Sequence, residues 1–206
     1  MVKSGERLAT VDNESYFNQL TQKVLEENVS TVDSLIEVLP DNRRKCIRRM
    51  MESDLGTSFF VAPASSRRSF HSAYPGGLVV HSLNVVRNGL ALSKSLAPKR
   101  WADEKIVFCC LFHDLAKAVA YKQNDEQWKW KRGEFYDTVD SERMQSGAGS
   151  LYLLQKHGIV LDYDETMAIE LTDGPQNFHT FKEPALSLIV GWADRWAMQE
   201  EKESDR

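Results

Sequence analysis

Hydrophobic and polar positions follow a helical rhythm over most of the chain, and the interruptions in it mark out the elements. Residues 1–13 are polar and aperiodic. The rhythm starts in "SYFNQLTQKVLEE", where Tyr16, Leu20, Val24 and Leu25 form one apolar stripe. Thr31 is placed to cap a short helix, "VDSLIEVL", that stops at Pro40, and Asp41 to cap the next, "NRRKCIRRMMES". Over residues 54–77, "DLGTSFFVAPASSRRSFHSAYPGG", turn formers multiply and the period is lost. A long ordered loop is expected there, and such loops inside a domain tend to be functional. Helices are predicted over about 78–96, 102–119, 141–156, 163–172 and 183–200, followed by a charged tail that frays. In "EQWKWKRGEFYDT", Trp128 and Trp130 alternate with polar residues, and a turn at Arg132 and Gly133 leads to Phe135 and Tyr136. That pattern predicts a β-hairpin. The expected architecture is all-α: a single-domain helical bundle with a small β-hairpin insertion. Residues 1–53 form an N-terminal helical segment packing on the core, 54–200 the main domain and 201–206 a charged tail.

Composition narrows this picture. At 206 residues the chain can bury a real core without disulfide staples. Hydrophobic residues at 42% and charged residues at 27% are ordinary for a soluble globular protein. A net charge of −4, from 26 basic and 30 acidic residues, gives no global drive toward nucleic acid. The cationic face of the helix around Arg43 and Arg48 reads as solvated surface. Cys46, Cys109 and Cys110 form no CxxC pair, which suits a reducing compartment. The N-terminus lacks the apolar core of a secretory signal, and no apolar run approaches the roughly 18 residues of a membrane span. A cytoplasmic protein with no membrane partner is expected.

No phosphate-binding glycine loop, dinucleotide fingerprint, nucleophile elbow or HExxH helix is present. Chemistry is carried instead by polar residues inside apolar helices. "IVFCCLFHDLAKAVAY" holds His113, Asp114 and Lys117; "VVHSLNVVRNGL" holds His81; "ALSLIVGWADRWAM" holds Asp194. Consecutive helical residues diverge by about 100°, so His113 and Asp114 can share one ion only at the edge between their faces. Lys117 lies over that same face and could hold an anionic substrate beside the ion. Two imidazoles and two carboxylates suit Zn, Mn, Fe, Co or Ni. Residue chemistry alone leaves other readings open: satisfied core histidines, and an Asp194 paired with its neighbour Arg195.

The order His81, His113-Asp114, Asp194 resembles the H…HD…D signature of the HD superfamily of metal-dependent phosphohydrolases. "LFHDLAKA" is similar to that family's HDxxK helix, "AYPGGLVVHSLNVV" to the segment bearing its first metal histidine in bacterial and phage proteins, and "WADRWA" to its closing Asp segment. The resemblance runs from about residue 58 to 197. It implies a helical HD domain over 54–200 and a divalent ion held by His81, His113, Asp114 and Asp194. The implied activity is hydrolysis of nucleotides, by a dNTP triphosphohydrolase or a 5′-nucleotidase of nucleotide-pool metabolism.

Members of the phage-like type carry two further histidines, in "GHGERSxYLL" and "AIRWHMG" stretches. Here the similar positions read "QSGAGSLYLL" and "AIELTDGPQ", with Ser146 and Thr172 in their place. That favours one ion per site, with His179 as an added candidate ligand. Within the implied mechanism, Asp114 orients water and Lys117 binds a phosphate oxygen. His71 donates a proton to the leaving oxygen or binds phosphate, and Arg68 clamps phosphate. Gly76 and Gly77 either let a helix N-terminus approach phosphate or simply form a tight turn. Two alternatives remain. One is a phosphodiesterase or 3′–5′ exonuclease, which the YPGGL…H segment also resembles, although nucleic acid is not the favoured partner. The other is a non-catalytic metal-stabilised interaction domain. A homo-oligomer is left open.

Overall fold

The structure, a computed structural model, describes residues 12–139, 144, 146–172 and 183–204. Helix α1 (Asn13–Phe17) starts where the Asp12 carboxylate accepts from the Ser15 amide at 2.8 Å. Helix α2 (Gln22–Glu37) starts where Thr21 Oγ1 accepts from the Val24 amide. The stripe from Tyr16 to Leu25 is therefore broken by a turn at residues 18–21. Thr31 caps nothing: α2 runs straight through it, and its hydroxyl donates to the Glu27 carbonyl four residues back. Asp41 is the first residue of α3 (Asp41–Met51), whose cap position is Pro40, and no side chain caps it. Three of the four arginines of α3 are paired with carboxylates, Arg44 with Glu37 and Asp41, Arg48 with Glu37, and Arg43 with Glu165.

The expected loop over 54–77 is half helix. Helix α4 (Asp54–Val61) buries Leu55 and Phe59, and only residues 62–76 remain irregular. At the end of that loop Gly76 adopts φ +81°, and a Cβ on Gly77 would meet the Ser72 carbonyl oxygen at 2.0 Å. The two glycines form a tight turn into α5 (Gly77–Leu96). Helix α6 (Asp103–Phe112) is shorter than predicted. His113 and Asp114 break it, and Leu115–Val119 continue as a 3₁₀ turn.

The hairpin exists, but its first strand does not lie at the tryptophans. Strand β1 (Tyr121–Gln123) pairs antiparallel with β2 (Tyr136–Thr138), Tyr121 opposite Thr138 and Gln123 opposite Tyr136. Residues Gln127–Lys131 form helix α7 between them. Trp130 turns inward onto Phe17 and Phe135, at ring separations of 4.5 and 5.0 Å, while Trp128 stays exposed. The two-residue spacing of the tryptophans is thus a spiral, not a pleat.

Helices α8 (Ser146–Lys156), α9 (Tyr163–Glu170) and α10 (Ala185–Ser204) complete the described chain. The tail expected to fray from 201 instead continues α10 to Ser204, and Glu201 is buried. No helix among the described residues is long and apolar enough to cross a membrane.

The protein is an all-α bundle with a two-stranded β insertion. Its main core is built around α5, which lies along both α6 and α10. Gly89 permits that closeness, since a Cβ there would meet Cys110 Sγ of α6 at 2.5 Å and Ala193 Cβ of α10 at 3.7 Å. Leu78, Phe112, Leu115 and Val190 are fully enclosed, each stabilising the fold by about 1.5–3 kcal/mol relative to an exposed position. A smaller aromatic core gathers Tyr16, Phe17, Tyr74, Phe135 and Tyr136 under the hairpin.

Candidate metal centre

Three helices deliver the polar intruders to one point. His81 comes from the first turns of α5, His113 and Asp114 from the break after α6, and Asp194 from the middle of α10. All four are buried, and one ligand atom from each lies within 4.8 Å of every other. His81 Nε2 is 3.0 Å from Asp194 Oδ1 and 3.7 Å from Asp114 Oδ2; His113 Nε2 is 3.3 Å from Asp114 Oδ2 and 3.7 Å from Asp194 Oδ1.

Despite this proximity, neither Nε2 makes a hydrogen bond. A buried polar atom without a partner is costly and calls for an explanation. Donors bound at about 2.1 Å to one ion stand roughly 3.0–3.4 Å apart, which matches the short end of this spacing. The opposite ring nitrogens are held. His113 Nδ1 lies 2.9 Å from the Cys110 carbonyl, so it donates there and turns Nε2 toward the two carboxylates. His81 Nδ1 is 3.1 and 3.2 Å from the two Glu201 carboxylate oxygens. The four residues could hold a metal ion.

Electrostatics point the same way. Burial alone would depress both imidazoles, but the carboxylates beside them reverse it. His81 is raised by Asp194 and Glu201, and His113 is raised to about 10 by Asp114 and Asp194. Burial pushes Asp114 and Asp194 upward. Lys117 and His113 nevertheless hold Asp114 well below the usual carboxylate range, and His113 and His81 do the same for Asp194. In the metal-free protein the two imidazoles and Lys117 thus carry the positive charge that faces the two ionised carboxylates.

Lys117 reaches Asp114 Oδ2 at 2.6 Å, and Ser146 donates to Asp114 Oδ1 at 2.6 Å. The 3₁₀ turn accounts for the first contact, because residues three apart eclipse on such a turn. Ser150 pins the turn by accepting from the Ala116 amide. Ser146 therefore does stand at the edge of the cluster. Thr172 is buried at the end of α9, its hydroxyl donating to the carbonyls of Ala168 and Ile169. His179 lies outside the described residues. Beside Lys117 and Ser146 a cavity of about 400 Å³ opens, walled by Tyr121, Met144, Tyr152 and Leu153.

His71, from the loop before α5, is buried with its ring 4.8 Å from that of His81, and neither of its nitrogens has a partner. Burial, with the positive charge of His81 and Lys117, lowers its pKa to about 3, so it is neutral. Arg68 is directed elsewhere: it donates to Asn13 Oδ1 at 2.7 Å and lies over the Tyr16 ring. Clamping phosphate would require it to leave those contacts.

Sequence reasoning missed Glu201, which sits in what reads as a solvated acidic tail. Its one available signal is spacing, since it falls seven residues, two helical turns, after Asp194 and so shares its face. Glu201, His81 and His71 also form a cluster of potential ligands. There His81 Nδ1 lies 3.1 Å from Glu201 Oε1, in hydrogen-bond contact with the carboxylate. Comparison of the chain with protein-family models, with curated proteins and with solved structures finds no match.

Proposed function

We propose that this protein is a metal-dependent phosphohydrolase acting on nucleotides, as a dNTP triphosphohydrolase or a 5′-nucleotidase, and that it works in the cytoplasm. One observation carries the reading: four buried donors from three helices converge at metal-ligand spacing, with both Nε2 atoms free of hydrogen bonds. The resemblance of the H…HD…D order to the HD superfamily supports the choice of reaction. His81, His113, Asp114 and Asp194 would hold one divalent ion, drawn from Zn, Mn, Fe, Co or Ni. When bound, it supplies Lewis acidity toward a phosphoryl group and activation of water.

The chain's own residues do the rest. Asp114, fixed from both sides by Ser146 and Lys117, orients water. Lys117 sits where the buried cluster meets the cavity, so its ammonium binds a phosphate oxygen. His71 is neutral and has two buried, unpartnered nitrogens, which suits it to donate a ring N–H to a phosphate oxygen; to pass a proton to the leaving oxygen it would first have to be protonated, which bound phosphate charge favours. Tyr121, Tyr152 and Met144 give the cavity an apolar wall for the nucleoside.

The test is to incubate the purified protein with Mn, Co or Zn and a panel of dNTPs, nucleoside monophosphates, cyclic nucleotides and short oligonucleotides. Release of phosphate or triphosphate supports the reading. Shortening of oligonucleotides would instead favour the exonuclease alternative. Bound metal with no turnover of any substrate would reduce the protein to a metal-stabilised interaction domain.

A further inference from the structure

Glu201 lies on the last described turns of α10, a region whose composition, "QEEKESDR", reads as solvent-facing. It is nonetheless buried and fully engaged. Its Oε1 is 3.1 Å from His81 Nδ1 and accepts from Asn84 Nδ2 at 3.0 Å; its Oε2 is 3.2 Å from the same Nδ1 and accepts from Ser72 Oγ at 2.9 Å. The other side of the His81 ring faces Asp194, at 3.0 Å from Nε2. One imidazole of α5 is thus flanked by two carboxylates of α10 two turns apart, Glu201 bonded at Nδ1 and Asp194 beside the unbonded Nε2. Seven residues at 1.5 Å per residue span about 10.5 Å along the helix axis, enough for a ring and two carboxylates to fit between them.

We infer that Glu201 is the positioning residue of the centre: it fixes His81 as the Nδ1–H tautomer, sets its ring rotation and raises its strength as a metal ligand. The inference rests on the reading of His81 as a ligand. A carboxylate accepting from the distal nitrogen of a metal-binding histidine selects the tautomer and makes the other nitrogen more basic. Glu201 has a second task, through Ser72. That residue adopts φ +42°, a conformation non-glycine residues rarely take, and its hydroxyl is tied to Glu201. Ser72 adjoins His71, so one carboxylate holds both a metal histidine and the loop that brings His71 to the site.

The decisive variant is Glu201→Gln, which keeps shape and an acceptor but loses charge. Zn(II) and Co(II) affinities are measured by competition with a chromophoric chelator, the visible absorption of the Co(II)-loaded protein is recorded, and melting of the metal-free protein monitors the fold. Affinity should fall about tenfold in Glu201→Gln and up to about a hundredfold in Glu201→Ala, with shifted Co(II) bands. Unchanged affinity and bands in folded Glu201→Gln would overturn the inference while leaving the metal reading intact. A wild-type chain that binds neither ion would overturn both. If Glu201→Gln does not fold, the Ser72→Ala/Asn84→Ala double variant loosens the carboxylate in place. It should then lower affinity severalfold, and an unchanged value overturns the inference.

Discussion

Helix α6 touches two charge clusters, one half-buried and one buried, and they are built on opposite plans. Near its start, Arg43 meets Glu165 through two contacts of 2.7 and 2.9 Å, lies over the Phe108 ring and donates to the Val160 carbonyl. Glu165 also accepts from the Asp162 amide in a capping box, and Asp162 in turn pairs with Lys105. Just past its end, His113 and Asp114 join His81 and Asp194 with donors crowded together and two ring nitrogens unbonded. Both clusters lie in the same apolar bundle and carry charge of both signs. The first is closed, in that each charged group is answered by a protein partner. The second is open: it also sets opposite charges side by side, but it leaves two ring nitrogens without a hydrogen bond and could hold an ion. Burial of charge alone therefore says little about function; the state of the partners separates a structural ion pair from a site.

That contrast can be tested from its strongest consequence downward. Asp114→Ala removes a ligand and the partner of Lys117, so metal binding should be lost and turnover should drop at least about a thousandfold, or ~4 kcal/mol. Retained activity in a phosphate-release assay would sink the open-site assignment. In the closed cluster, Glu165→Ala leaves a largely buried Arg43 unpaired and should cost about 3 kcal/mol in chemical denaturation without weakening metal binding. The open site should also show a steep pH dependence. His113 keeps its proton up to about 10 in the metal-free protein and His81 is raised as well, so an ion must displace them. Apparent affinity should then rise with pH toward 10, by up to about two decades per unit if both protons leave, as calorimetry in buffers of different ionisation enthalpy would reveal. By the same shift, the stability His113 contributes to the metal-free fold is complete below its ordinary value of 6.5 and is lost as pH rises toward 10. His71→Ala should lower turnover about a hundredfold while leaving metal affinity within a few-fold. The smallest effect belongs to the closed cluster again. Replacing both partners together, Arg43→Met with Glu165→Leu, should leave stability within about 1 kcal/mol, because apolar packing can stand in for a saturated pair.

Much of this was legible in the chain. Long helices with sustained apolar stripes, such as 77–96 and 185–204, were readable because burial of one face and helical periodicity are the same fact. His81, His113, Asp114, Lys117 and Asp194 stood out since polar groups rarely interrupt such stripes without cause. What escaped was set by contacts distant in sequence. Trp130 is drawn into a helical turn by Phe17 and Phe135, more than a hundred residues away in the first case, and local alternation carries no trace of that. Thr31 looks like a cap, yet the burial of Val32 and Ile36 on a continuous face keeps α2 running through it. The break at His113 hides inside a seamless apolar run. Glu201 was concealed by its company: acidic neighbours on an exposed-looking tail mask the one carboxylate that points inward.

Gly89 sits on one of the three helices that carry the site and against the other two. It marks the place where α5 comes close to both α6 and α10, the helices that bring His81, His113 and Asp194 together. The absence of a single methyl group there works as a fulcrum. A side chain at that position would act as a wedge, prying the helices apart and widening the bite of the centre at His81, two turns away. The calibre of the site is thus machined in the apolar interior, and tuning it needs no change to any group that would meet the ion.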